Sequence, residues 1–288
     1  MAATYRAPAK INLTLEVLAR RSDGLHGIRS VMVPLELADE LIVEPSDRFG
    51  FACDRAELSG DGNLAFRALR ALGTLPPYRI ELRKRVPVQA GLGGGSSDAA
   101  AVLRAAMRGA FGTPPAIDWM QVARSLGSDV PFFLAETGAL VEGTGERVTP
   151  LGAMPHWHAV VVKPPVGVST AEAYALVDRS ERPGRPRGTS VSIAAATALQ
   201  RGDFDAVESL LHNDFQAAIA GESPPVATAL GALAAAGAAR PLLAGSGSCV
   251  FALARDAESA QAIARALSLP PEYARWTTAF ARTPEWRA

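Results

Sequence analysis

The 288-residue sequence predicts an α+β fold in two domains, and three observations carry that expectation. Residues 5–17 alternate with period 2: Tyr5, Ala7, Ala9, Ile11, Leu13, Leu15 and Val17 fall on one face, with Arg6, Pro8, Lys10, Asn12, Thr14 and Glu16 on the other, the pattern of a half-buried strand. A glycine-rich loop then separates a second alternating run from a helix of small residues. Beyond residues 150–155, the most plausible domain boundary, short apolar runs interleave with alanine-rich stretches of helical character. The domains expected are therefore 1–155 and 156–288.

The glycine loop organises the rest. Residues 78–86 set Tyr78, Ile80 and Leu82 against Arg79, Glu81, Arg83 and Arg85, a strand that Pro87 ends. The loop continues through Val88, Gln89, Ala90, Gly91, Leu92, Gly93, Gly94 and Gly95 to Ser96, Ser97 and Asp98, which are capping candidates for a helix over 99–107. A helix N-terminus presents unpaired N–H groups and a partial positive charge, so this loop is a sensible phosphate cradle. It is not a Walker loop, because it contains no lysine, and serine at position 96 breaks the dinucleotide pattern G-x-G-x-x-G. The glycines could alternatively serve only close packing of helix on strand.

Composition narrows the classes. An apolar content of 48% allows a sizeable core, and 29 basic against 29 acidic residues leave no global field to attract nucleic acid or an anionic membrane. Cys53 and Cys249 cannot make a disulfide framework, and no apolar run is long enough to span a bilayer or act as a signal peptide. A soluble, cytoplasmic protein without a nucleic-acid or membrane partner is expected.

The remaining elements follow in order. An Asp23-Gly24 turn leads through Leu25 and His26 to strand runs at 28–37 and 40–44. A helix over 63–72 starts at Asn63 and stops at Gly73. Residues 117–126 read as a helix stopped by Gly127, after which Ser128-Asp129-Val130-Pro131 signals a new helix start. A hairpin over 139–149 turns at Gly143-Thr144-Gly145. In the second section a strand at 158–163 and a helix at 170–178 precede a Pro/Gly/Arg loop at 181–190, and three helices fill 191–238. Short strands at 242–244 and 249–253 flank Gly245-Ser246-Gly247-Ser248, followed by a helix at 256–267 and a strand at 276–282. Taken alone, Lys10 and Asn12 read as a solvated strand face, His26 as a surface histidine and Asp129 as a helix cap. His156 and His158 lack partners for a metal site.

These residues nevertheless resemble a known family. GLGGGSSDAA resembles the central motif of the GHMP kinases, small-molecule kinases that bind ATP through such a loop. APAKINL resembles their first motif, DG-x-H a substrate turn, GSDVPFFL the segment of the catalytic aspartate, HNDF the NDL/NDF element, and GSGS the third motif. The closest resemblance is to the branch acting on 4-diphosphocytidyl-2-C-methyl-D-erythritol. It implies a ribosomal protein S5 domain 2-like N-terminal domain and a ferredoxin-like C-terminal domain. The implied reaction is ATP- and Mg²⁺-dependent phosphorylation of the acceptor's 2-hydroxyl in non-mevalonate isoprenoid synthesis, with no metal ligand assigned.

By the same resemblance Lys10 and Asp129 are catalytic, and the loop from Pro87 to Ser97, with Asn63, Lys84, Gly245, Ser246 and Gly247, binds ATP. Asn12, Leu25, His26 and Tyr174 meet the cytidyl substrate, Leu25 standing where the family carries an aromatic and Tyr174 matching a second aromatic on the opposite ring face. Homoserine- or mevalonate-type kinases, a non-catalytic ligand-sensing relative and a nucleic-acid-binding protein on the S5-like domain are the alternatives. The retained Lys10 and Asp129 and the balanced charge weigh against the last two.

Overall fold

A computed structural model describes residues 2–22, 24–73, 77–179 and 190–281. Asp23, residues 181–189 of the Pro/Gly/Arg loop and Arg282 lie outside the described residues.

The first half comprises strands β1 (Ala3–Arg20), β2 (His26–Pro45) and β3 (Gly50–Cys53), helix α1 (Leu64–Ala71), strand β4 (Tyr78–Arg83), helices α2 (Gly94–Met107), α3 (Trp119–Leu126) and α4 (Val130–Leu134), and the hairpin β5 (Ala139–Gly143) and β6 (Arg147–Pro150). There follow β7 (His158–Lys163), α5 (Thr170–Arg179), α6 (Val191–Gln200), α7 (Phe204–Ser209), β8 (His212–Asn213), α8 (Gln216–Glu222), α9 (Pro224–Ala235), β9 (Leu242–Leu243), β10 (Val250–Ala254), α10 (Ala257–Ala266) and β11 (Ala274–Ala279).

Two sheets result. The larger runs β3-β4-β2-β1-β8, and β2 is long enough to pair with β4 along Glu40 to Pro45 and with β5 along Ile28 to Met32. The smaller sheet, β11-β7-β10-β9, is antiparallel throughout. The two runs expected at 28–37 and 40–44 are thus one strand, because Asp39 is not a break: it is fully buried and paired. Four helices, not three, occupy 191–238, interrupted by β8, which adds to the larger sheet parallel to β1 through Thr14 and Leu15.

β1 departs from the half-exposed pattern. Lys10, Asn12, Thr14 and Glu16 are all buried, so the solvated-face reading does not hold. Coverage from the second half is the reason: the Thr14 hydroxyl donates to Ser192 at 2.8 Å, and the Glu16 carboxylate accepts from the Ser190 hydroxyl and the Ser192 amide of the α6 start. Buried polar groups are tolerable only when hydrogen-bonded, and these are.

β4 ends at Arg83, short of the expected Val86, because side-chain carboxylates capture the next amides. Asp54 accepts from the Lys84 amide, and Asp39 Oδ1 accepts from Arg85 and Val86. Donors taken in this way cannot continue a ladder.

Candidate active site

The glycine loop turns on three positive-φ residues, Gln89, Gly91 and Gly93. Gly93, at φ 70°, is the N-cap of α2, which begins at Gly94 rather than at Ala99, with no side-chain cap. Ser96, Ser97 and Asp98 therefore lie inside the first turns instead of capping them. The helix starts on glycines because they make the left-handed entry without a Cβ penalty, and its first N–H groups are left without a side-chain acceptor.

Lys10 sits directly beneath this loop. Its amide donates to the Leu92 carbonyl at 2.9 Å, and a Cβ on Gly93 would stand 3.1 Å from Lys10 Cγ. Its ammonium donates to Asn12 Oδ1 at 2.8 Å and lies 3.6 Å from the Asp129 carboxylate, whose side chain is 25% exposed. Asn12, fully buried, passes its own amide hydrogen to Ser30. Asn12 thus orients Lys10. Asp129 occupies the N-cap position of α4, yet its side chain makes no capping bond, so the carboxylate remains turned to Lys10 and the cavity.

The second glycine loop closes over the first. A Cβ on Gly91 would meet the Ala244 carbonyl oxygen at 1.9 Å, and one on Gly245 would come within 2.9 Å of Lys10 Nζ. Asn213 holds that loop by donating to the Leu243 and Gly245 carbonyls at 2.7 and 2.8 Å. This gives the HNDF element its role: it carries the second loop to Lys10.

A cavity of about 560 Å³ runs between the loops, lined by Lys10, Asn12, Asn63, Lys84, all of residues 86–96, Asp98, Asp129 and Gly245, Ser246 and Gly247. Ser97 is fully buried behind it. Two other expected nucleotide residues have structural duties. Asn63 caps α1, accepting from the Ala65 and Phe66 amides. Lys84 is pinned at 2.5 Å by both Asp39 and Asp98. Burial alone pulls the Lys84 ammonium down, but Asp98 and Asp39 more than reverse this and leave it above its ordinary value. Burial raises the Asp98 carboxyl well above the usual range, Lys84 opposing and Asp39 adding to the rise.

An adjoining cavity of about 410 Å³ is lined by Leu25, His26 and Tyr174 together with Arg20, Arg124, Pro131, Glu146 and Asp178. Ser128, Thr144 and Tyr174 line both cavities, so the two meet beside Asp129. Tyr174 stacks on His26 with ring centroids 5.6 Å apart and 14° between planes, while His26 Nδ1 contacts the Leu18 carbonyl and Nε2 approaches Asp178 at 2.9 Å. One face of Tyr174 is therefore covered by the imidazole, and Leu25 stands 57% exposed at the rim. Sequence reasoning did not find Ser128, Thr144, Arg20 or Arg124 as wall residues. Ser128, inside GSDVPFFL, and Thr144, between two glycines, carried usable signals.

Among the described residues no group of three His, Cys, Asp or Glu could hold a metal, and His156 and His158 pack edge to face, 5.0 Å apart. No helix among them is long and apolar enough to cross a membrane. Cys53 and Cys249 are free thiols.

Known proteins resemble this chain over most of its length. The GHMP kinases N terminal domain matches residues 63–137, and the GHMP kinases C terminal domain matches residues 195–270. A Deinococcus radiodurans protein named 4-diphosphocytidyl-2-C-methyl-D-erythritol kinase is 42% identical over 269 residues, covering 91% of this chain and 87% of its own. A protein of the same name from Symbiobacterium thermophilum is 43% identical over 263 residues, covering 87% and 90%. A crystal structure of 4-(cytidine 5'-diphospho)-2C-methyl-D-erythritol kinase superposes with a TM-score of 0.78 at 38% identity, over 96% of this chain and all (100%) of that one. Homoserine kinase from Cytophaga hutchinsonii, at 19% identity and a TM-score of 0.69, shares the fold alone. With two glycine loops meeting over a lysine–aspartate pair, both family domains in order and relatives above 40% identity, the chain belongs to the GHMP kinase family.

Proposed function

We propose that this chain transfers the γ-phosphoryl group of ATP to the 2-hydroxyl of 4-diphosphocytidyl-2-C-methyl-D-erythritol. One observation carries the reading: the cavity between the glycine loops and the cavity at Leu25, His26 and Tyr174 share a border at Ser128 and Thr144, and Asp129 stands at that border against Lys10. The relatives with that name supply the acceptor's identity.

Phosphoryl transfer needs an aligned nucleophile and charge stabilisation more than covalent help. The loop from Pro87 to Ser97 holds the triphosphate on the bare N–H groups of α2, and Gly245, Ser246 and Gly247 close it from the other side. Asp129 accepts the hydroxyl proton as the hydroxyl attacks, and Lys10, fixed by Asn12, balances negative charge between that carboxylate and the phosphoryl oxygens. Mg²⁺ takes few protein ligands when it arrives with a nucleotide, and hard oxygens suit it. The Ser96 hydroxyl, packed beside Gly127, is a cavity oxygen that would hold it. The ion would neutralise phosphate charge. Leu25, His26 and Tyr174 form the wall for the cytidyl end.

The test is ADP release, coupled to a reporter, with the cytidyl diphosphate, homoserine, mevalonate or no acceptor. Turnover with the cytidyl diphosphate alone is expected. Equal or faster turnover with another acceptor, or ADP release that no acceptor stimulates, overturns the reading.

A further inference from the structure

Helix α2, which opens on the phosphate cavity, carries a buried arginine further along that has no part in the chemistry just described. Arg104 is 3% exposed. Its Nη1 donates to the Phe133 carbonyl at 2.8 Å, its Nη2 donates to the Arg6 carbonyl at 2.6 Å, and its Nε lies 3.4 Å from Glu136, which also pairs with Arg108. Phe133 belongs to α4, the five-residue helix whose N-cap is Asp129. Arg6 belongs to β1, one short stretch before Lys10. One planar guanidinium therefore joins the phosphate-loop helix, the helix of the aspartate and the strand of the lysine.

We infer that Arg104 is a positioning residue that sets the separation of Asp129 from Lys10 and from the phosphate loop. The inference rests on the function proposed above. A guanidinium carries donors in a fixed fork, so its two carbonyl contacts fix angle as well as distance; a lysine in its place reaches one carbonyl at a time. Phe133 and Asp129 lie four residues apart on the single short helix α4 and its cap, so a shift at Phe133 would carry to Asp129. The phosphate loop has a further contact with the same element, since a Cβ on Gly93 would stand 3.0 Å from the Phe133 ring. Burial pulls the guanidinium's pKa down to about 9, with Glu136 opposing. Arg104 is thus still a cation at neutral pH, and it donates at both carbonyls.

Arg104→Lys is compared with Glu136→Gln, which removes the carboxylate behind the guanidinium but leaves both carbonyl contacts. Asp129→Asn serves as reference. Steady-state rates are measured with ATP and the cytidyl acceptor, at a temperature well below each variant's Tm. Arg104→Lys is expected to lower kcat about tenfold or more with both KM values held within about twofold, since an ångström of misplacement can cost about a hundredfold. Glu136→Gln is expected to lose Tm with kcat kept. A lower Tm for Arg104→Lys with unchanged kcat overturns the inference, as does a rise in KM alone or an equal loss of kcat in Glu136→Gln. Should Arg104→Lys not fold, the double variant Arg104→Met/Glu136→Met removes the charge pair together and carries the same kcat comparison. Full kcat in Asp129→Asn sinks the proposed function itself; loss there beside full kcat in Arg104→Lys sinks this inference alone.

Discussion

Two lysines line the same cavity in opposite conditions. Lys84 is held at 2.5 Å by each of two buried carboxylates, Asp39 and Asp98, and its charge is fully committed to the fold. Lys10 has one amide oxygen at 2.8 Å and a carboxylate at 3.6 Å that is itself partly open to the cavity. A cation already saturated by short contacts has little field left for a ligand, whereas a loosely paired one retains it. The contrast separates a lysine held between two carboxyl groups at the entry to the glycine loop from one whose single carboxylate partner faces the cavity.

The sharpest way to break that contrast is at Asp129 and Lys10. Asp129→Asn is expected to lower kcat by about 10²- to 10⁴-fold with ADP affinity largely kept, and Lys10→Ala to lower kcat strongly as well. Steady-state kinetics beside calorimetric ADP titration reads both. An Asp129→Asn enzyme with more than about half the parent kcat ends its assignment as base, and a Lys10→Ala change confined to the KM for ATP makes Lys10 a binding residue.

Lys84→Met tests the other side. It strands two buried carboxylates, and breaking a buried pair by removing one partner costs about 3–5 kcal/mol. Urea unfolding measures this. A loss under about 1 kcal/mol means that the triad does not hold the loop entry.

Glycines in the loop give a smaller, local comparison. Gly95 has room, for a Cβ there meets only Leu64 Cδ1 at 3.6 Å, whereas one at Gly94 presses on Val86 at 3.1 Å with Lys84 Nζ 3.5 Å away. Gly95→Ala should therefore keep the Tm and weaken ADP binding severalfold by holding the phosphate off the backbone, and Gly94→Val should lose both. Unchanged ADP affinity in a folded Gly95→Ala protein would assign the glycines to packing alone.

The smallest effect concerns pH. Asp98 holds its proton more tightly when folded than its ordinary 3.8, so the stability that this group contributes is present below that value and is lost as pH rises through the raised one. Asp98→Asn does not titrate. The stability of the variant relative to the parent, read in urea midpoints, should therefore increase as pH rises above the ordinary carboxyl range. A flat or falling difference contradicts a raised Asp98.

Much of this was legible in the linear chain because the signals are local. The period-2 run of β1, the glycine loop, the Asn63 cap, the Gly127 stop and the proline start of α4 each depend on neighbours in sequence. Their resemblance to the GHMP motifs then brought Lys10, Asp129 and both loops to one site. The extra helix at 191–238 was hidden because alanine-rich runs carry little apolar contrast to mark their ends. The early end of β4 was hidden because Asp39 and Asp54 are remote in sequence from the amides that they capture.

By itself, then, the sequence determined where the backbone bends, where helices open and which residue types stand at those openings, since turn chemistry and periodicity act within a few residues. Tertiary structure alone decided which polar groups are buried and whom they serve. Asn12 became the support of Lys10 rather than a solvated strand residue, Lys84 a strut between two aspartates, and Arg104 the tie between α4 and β1. The physical reason is that burial and charge pairing depend on which distant surfaces meet, and the meeting of α6 and the second glycine loop with β1 is a property of the whole chain.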